Sequence, residues 1–66
     1  MNILEKTYII YLRDNEYKVA DESFSHYLDK TEIVERGIKE FSTANLWAAR
    51  MNTLKAFKMD VTDYKY

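Results

Sequence analysis

Apolar and polar residues alternate along residues 4–13, LEKTYIIYLR, with Leu4, Tyr8, Ile10 and Leu12 set against Thr7, Ile9 and Tyr11. A period of two in a segment dense in Tyr, Ile and Thr predicts a strand covered in part on both faces. Asp14-Asn15 follows as a turn signal, because both side chains bond back to the backbone and tolerate the left-handed conformation. Tyr17 to Ala20 then returns as a second strand, completing a hairpin.

The pattern weakens over residues 21–31, DESFSHYLDKT. Phe24, Tyr27 and Leu28 stand at helical spacing behind Asp21 as an N-cap, which favours a short helical turn or loop. The alternation Phe24, His26, Leu28 would equally suit a continuing strand. Two periods also compete in residues 32–43, EIVERGIKEFST. Val34, Ile38 and Phe41 make a helical stripe, with Asp29 and Glu32 as a capping box. Gly37 in mid-segment and the β-branched residues favour a strand, bent at Gly37 and ending in Phe41 and Thr43.

Residues 45–58, NLWAARMNTLKAFK, hold the clearest helix, with Asn45 as its N-cap and its end near Lys58. At about 100° per residue, Leu46, Ala49, Thr53, Ala56 and Phe57 share one side. Trp47, Met51 and Leu54 form a second apolar stripe, and Asn52, Lys55 and Ala48 are left as the outward strip. A helix apolar most of the way round is covered twice. Ala49 and Ala56, being small, mark the side expected to approach the sheet, so Trp47, Met51 and Leu54 need a second cover. Residues 60–66, DVTDYKY, alternate Val61, Asp63 and Lys65 against Thr62, Tyr64 and Tyr66 and read as a last strand. The expected architecture is α+β: a three- or four-stranded, mostly antiparallel sheet with one main helix packed on one face, in the order ββ(β)αβ.

Length sharpens the question of that second cover. The 66 residues form one domain, 1–66, and a chain this short buries only about 60% of the surface its unfolded form exposes. Small domains add disulfides, metals or a partner to a thin core. Cysteine is absent, which excludes disulfides and thiolate metal sites and fits a reducing compartment. No signal peptide or membrane span is visible, so the cytoplasm is the expected location and no membrane partner is expected. The net charge of -1 weakens any bulk attraction to nucleic acid or anionic lipid. The charge is uneven: residues 1–40 hold six basic against nine acidic residues, and residues 41–66 hold four against two. Abundant Lys, Asn, Ile, Tyr, Asp and Glu, with one Gly and no Pro, resembles the composition of proteins from AT-rich bacterial genomes and their phages.

Catalytic chemistry finds little to work with. His26 is the only histidine and lies among Ser23, Ser25 and Asp29. A triad there would need an oxyanion hole and a strained nucleophile turn, and no glycine is near. Asp21, Glu22 and Asp29 around one imidazole match no metal-ligand spacing. With Gly37 the lone glycine, no phosphate-binding loop exists. The expectation is therefore no enzyme, no cofactor and no metal.

Binding is the richer reading. Trp47, Arg50, Met51 and Leu54 are the candidate partner-binding residues, since Trp and Arg anchor interfaces and Met suits adaptable surfaces. The leading expectation is a non-enzymatic protein-interaction module. It would be an inhibitor or regulator of phage or mobile-element type that binds a host protein or a second copy of itself. The alternative is a small nucleic-acid-binding regulator using a tyrosine-bearing sheet face or the basic helix, with Tyr64, Lys65 and Tyr66 as contacts.

Overall fold

The hairpin forms where its turn chemistry puts it. The structure, a computed structural model, describes residues 6–65; Leu4, Glu5 and Tyr66, which figured in the expected first and last strands, lie outside the described residues. Strand β1 (Tyr8–Arg13) pairs antiparallel with β2 (Glu16–Asp21), from Tyr8 opposite Asp21 to Arg13 opposite Glu16. Asp14 and Asn15 both take positive φ, 54° and 65°. Two left-handed residues in a two-residue loop match the right-handed twist of the flanking strands.

A third strand, β3 (Ile33–Ile38), pairs antiparallel with the other side of β1, giving the order β2-β1-β3. Its register slips twice, so that Tyr8 faces Ile38, Ile10 faces Glu35 and Tyr11 faces Ile33. Gly37, at φ 70°, supplies the left-handed residue that one of these bulges requires. The bend expected at Gly37 is present. Glu22 holds it: one carboxylate oxygen accepts from the Gly37 amide at 3.1 Å and from the Thr7 hydroxyl at 3.0 Å, while Arg36 lies 3.6 Å from the other.

Residues 21–32 make two 3-10 turns, Glu22–Tyr27 and Lys30–Glu32. Asp21 caps the first, and Asp29 with Glu32 forms a capping box on the second. They lie across the face of the sheet opposite the main helix, where Phe24 meets Tyr11 at 5.8 Å between ring centroids. Arg13 grips the Glu32 carboxylate through two hydrogen bonds, 2.9 and 3.1 Å. The arginine bond first, then the Asp29 amide, hold the Glu32 carboxyl below its ordinary range.

Helix α1 (Phe41–Ala56) begins four residues before the expected Asn45. Glu40 is the capping residue, its carboxylate accepting from the Thr43 hydroxyl at 3.4 Å, and the Phe41 ring packs on Tyr8 at 5.3 Å. That aromatic contact fastens the first turn to the sheet, so β3 stops at Ile38 rather than running to Thr43. At the other end Lys58 adopts φ 57°, and Met59 N–H reaches Leu54 C=O at 2.8 Å while Lys58 N–H reaches Lys55 C=O. This paired closure satisfies the last carbonyls of the helix.

The rotation of α1 about its axis is the main correction to the sequence reading. Ala44, Ala48, Met51 and Leu54 are buried, and with Ile10 and Ile38 all but Leu54 form the core cluster. Ala49 and Ala56, expected against the sheet, face solvent, as do Leu46, Thr53 and Phe57. The expected outward strip is turned inward. Ala48 is 5% exposed, Asn52 bonds the backbone of Tyr17, and Lys55 donates to the Asn15 carbonyl at 3.0 Å and to its side-chain oxygen.

The Asn52 contact explains the rotation. Its amide accepts from Tyr17 N–H at 2.8 Å and donates to Tyr17 C=O at 3.1 Å. β2 is an edge strand, so both main-chain groups of Tyr17 would otherwise lack a strand partner. One side chain satisfies the pair. With apolar residues on nearly every side of α1, burial distinguishes the rotations poorly, and these polar contacts select among them.

Three substitutions test the orientation by urea denaturation. Ala48→Arg forces a charge into the core and costs at least about 3 kcal/mol, whereas Ala49→Arg stays within about 0.5 kcal/mol of the parent. Asn52→Ala strips both partners from Tyr17 and costs about 1–3 kcal/mol. Equal sensitivity at positions 48 and 49 would contradict this packing.

Candidate functional site

Two surfaces compete for the role of binding site: the stripe bearing Trp47, Met51 and Leu54, and the opposite side of α1. The first is occupied by the chain itself. Residues 60–66 are expected as a strand; the described part of that segment instead holds a 3-10 helix, Val61–Lys65. Asp60 starts it, accepting from the Thr62 amide at 3.0 Å and the Thr62 hydroxyl at 2.7 Å. Those two bonds, the hydroxyl first, hold its carboxyl below the ordinary range. A carboxylate that serves its own backbone two residues on bends the chain, and the alternation of apolar residues does not survive that bend.

The turn carries Tyr64 onto Trp47, edge to face, with ring centroids 5.6 Å apart. The Tyr64 hydroxyl donates to Glu35 at 3.0 Å, and Arg50 donates to the Tyr64 carbonyl at 3.2 Å. Lys65 pairs with the other Glu35 oxygen at 2.9 Å and lies 5.1 Å from the Trp47 ring centre. Glu35 on β3 and Trp47 with Arg50 on α1 thus hold the C-terminal segment as a latch. Met51 is 1% and Leu54 7% exposed. The second cover that the sequence demanded is the protein's own tail, so Trp47, Met51 and Leu54 are not a free surface.

The same contacts absorb the candidate nucleic-acid residues. Tyr64 and Lys65 are both committed to Glu35 and Trp47, and Tyr66 lies outside the described residues. A cavity of about 410 Å³ remains beneath the latch, lined by Tyr17, Val34, Met51, Val61, Thr62, Tyr64 and Lys65. It is mostly apolar, and its two polar members closest in sequence, Tyr64 and Lys65, are already engaged.

His26 projects from an exposed 3-10 turn. The acids near it in sequence serve the backbone: Asp21 accepts from Ser23 N–H at 2.9 Å and Asp29 from Thr31 N–H at 3.1 Å. No group of three or more His, Cys, Asp or Glu side chains that could hold a metal ion occurs among the described residues. No helix among them is long and apolar enough to cross a membrane.

The opposite side of α1 is open. Ser42, Asn45, Leu46, Ala49, Thr53, Ala56 and Phe57 are all exposed, and none carries a charge. Leu46 is 48% and Phe57 72% exposed, and Met59 just beyond the helix is 59% exposed. The helix cations are drawn elsewhere, Arg50 to the latch and Lys55 to the hairpin turn. Sequence periodicity identified this stripe but assigned it to the sheet; the missed signal was Asn52, a double hydrogen-bonding group suited to an edge strand.

Partial burial first, then the bond to Glu35, raises the Tyr64 hydroxyl above its ordinary value, and the bond to Glu35 raises Lys65 likewise. Groups raised in the folded state stabilise it below their unfolded pKa and lose that contribution as pH rises through the folded one. The latch therefore releases on the alkaline side, above about pH 10. A red shift of the Trp47 emission maximum in that range, preceding loss of helical circular dichroism and absent in Tyr64→Phe, is the expected record. A Trp47 emission that moves only with global unfolding would refute the latch.

Comparison of the chain with protein-family models, with curated proteins and with solved structures finds no match, so its function is argued from these surfaces alone.

Proposed function

We propose that the protein is a non-enzymatic interaction module and that it docks through the solvent face of α1. One observation carries the reading. In a chain that is 32% charged, the exposed helix side from Ser42 to Phe57 bears no charge and presents Leu46 and Phe57 around small residues. A solvent-facing helix strip ordinarily carries Lys and Glu. An uncharged, partly apolar one marks a contact surface. Ala49, Thr53 and Ala56 let another backbone approach closely, while Leu46 and Phe57 supply apolar anchors.

Size, lack of cysteine and composition fit a small cytoplasmic inhibitor or regulator of phage or mobile-element type, acting on a host protein or on another copy of itself. The nucleic-acid alternative has weaker support. The lysine and tyrosine it would use are held by Glu35, and the face offered to solvent has no cation to meet phosphate.

Two measurements check the reading. In extract of the producing cells the protein elutes from a sizing column in a species larger than its 7.9 kDa chain, and Ala49→Arg or Leu46→Glu returns it to monomer size. Identical elution of parent and variants would overturn the proposal. Labelled single- and double-stranded DNA and RNA show no binding at low salt, where phosphate contacts are strongest; tight, salt-sensitive binding would favour the alternative instead.

A further inference from the structure

The turn that folds residues 61–65 back along α1 is not encoded where it happens. α1 ends at Ala56 and the 3-10 helix begins at Val61, so Phe57, Lys58, Met59 and Asp60 make the whole connection, and all four are exposed. Helices commonly stop at a glycine or asparagine in the left-handed conformation. Here Lys58 holds that position at φ 57°, where its Cβ crowds the following carbonyl. Lys and Met are good helix formers, and the chain has no proline to stop them.

Straightening this turn costs no hydrogen bond. In the closed form Lys58 N–H donates to the Lys55 carbonyl at 3.0 Å and Met59 N–H to the Leu54 carbonyl at 2.8 Å. In a helix continued past Ala56 the same two donors meet the same two carbonyls in the other order, Lys58 with Leu54 and Met59 with Lys55. The left-handed strain at Lys58 is relieved. Residues 61–65 then leave their own seat, where Tyr64 packs on Trp47 and both Tyr64 and Lys65 bond Glu35. A second copy carries an identical seat.

We infer that residues 61–65 are swapped between two copies of this chain, each copy's segment resting on the other's Glu35, Trp47 and Arg50. The occupant is the one that the structure shows in that seat, and a short, strained hinge invites such a swap. Phe57 and Met59, both largely exposed, flank Lys58. In a swapped pair the two hinges run side by side, and these apolar side chains cover each other there. The face of α1 proposed above for docking takes no part, so neither reading depends on the other.

Sedimentation equilibrium of the purified chain, from micromolar to millimolar concentration, tests it. A segment on a short hinge competes with its own swap at an effective concentration in the millimolar range, so the dimer is expected toward the upper end. Lys58→Gly, at ease at positive φ, weakens the dimer about tenfold, and the β-branched Lys58→Ile strengthens it about tenfold. Glu35→Lys and Lys65→Glu identify the seat. Each variant alone sets like charges together in the closed and the swapped form and stays monomeric, with circular dichroism confirming that it is folded. Mixed in equal amounts they dimerise, because each copy's segment then meets an opposite charge on the other. A parent that is monomeric at every concentration overturns the inference, as does a dimer indifferent to Lys58 or a mixture no more associated than its components. A dimer abolished by Ala49→Arg lies on the open face of α1 and overturns the swap as well.

Discussion

The double hydrogen bond between the Asn52 amide and the main chain of Tyr17 decides how the rest of this protein is arranged. A helix with apolar residues on most of its circumference gains similar burial in several rotations, so the hydrophobic effect does not choose among them by itself. An edge strand with unpaired N–H and C=O groups does choose, because leaving them buried and unmet costs about 1–3 kcal/mol. Asn52 answers that demand at one rotation. Lys55, one residue short of a turn further on, reinforces it at the hairpin. Ala44 and Ala48 are then brought over Ile10 and Ile38, and their small side chains let the helix sit close. Everything on the far side of α1, including its uncharged strip, is exposed as a consequence.

The same rotation places Trp47 and Met51 at the side of the helix, where the sheet does not reach. In a chain of 66 residues without cysteine, that gap is closed by the C-terminal turn rather than by a cross-link. The latch is built from contacts of different kinds: ring on ring, hydroxyl and ammonium on one carboxylate, guanidinium on a carbonyl. Exposed ion pairs alone contribute little. Here Glu35 is shared by two donors whose own side chains also pack on Trp47, so each contact positions the next.

Much of the fold was legible because it rests on local chemistry. Asp14-Asn15 reports its turn, Gly37 its bulge, and Asp29 with Glu32 its cap, since in each the cause lies within three residues of the effect. Two of the departures have a different origin. The start of α1 at Phe41 depends on Tyr8, more than thirty positions earlier in the chain, and the rotation of α1 depends on an edge group of β2. Neither leaves a periodic trace. The C-terminal segment was misread because a short alternation outweighed the Asp60–Thr62 signal, although that signal is as local as the others. For the candidate site, the stripe expected to meet a partner is closed by the C-terminal turn, and the stripe expected on the sheet is open to solvent.

That exchange changes the kind of contact that the proposed docking face would make. A surface centred on Trp47 and Met51 would be a pocket for single large side chains. The surface left open is a low ridge of Ala49, Thr53 and Ala56 between Leu46 and Phe57, without charge along its length. Small residues at regular helical spacing offer little to a base or a phosphate, which need a ring or a cation. They offer close approach, and close approach along about 24 Å is useful only to another element that is itself straight and narrow. An α-helix is an element of that form.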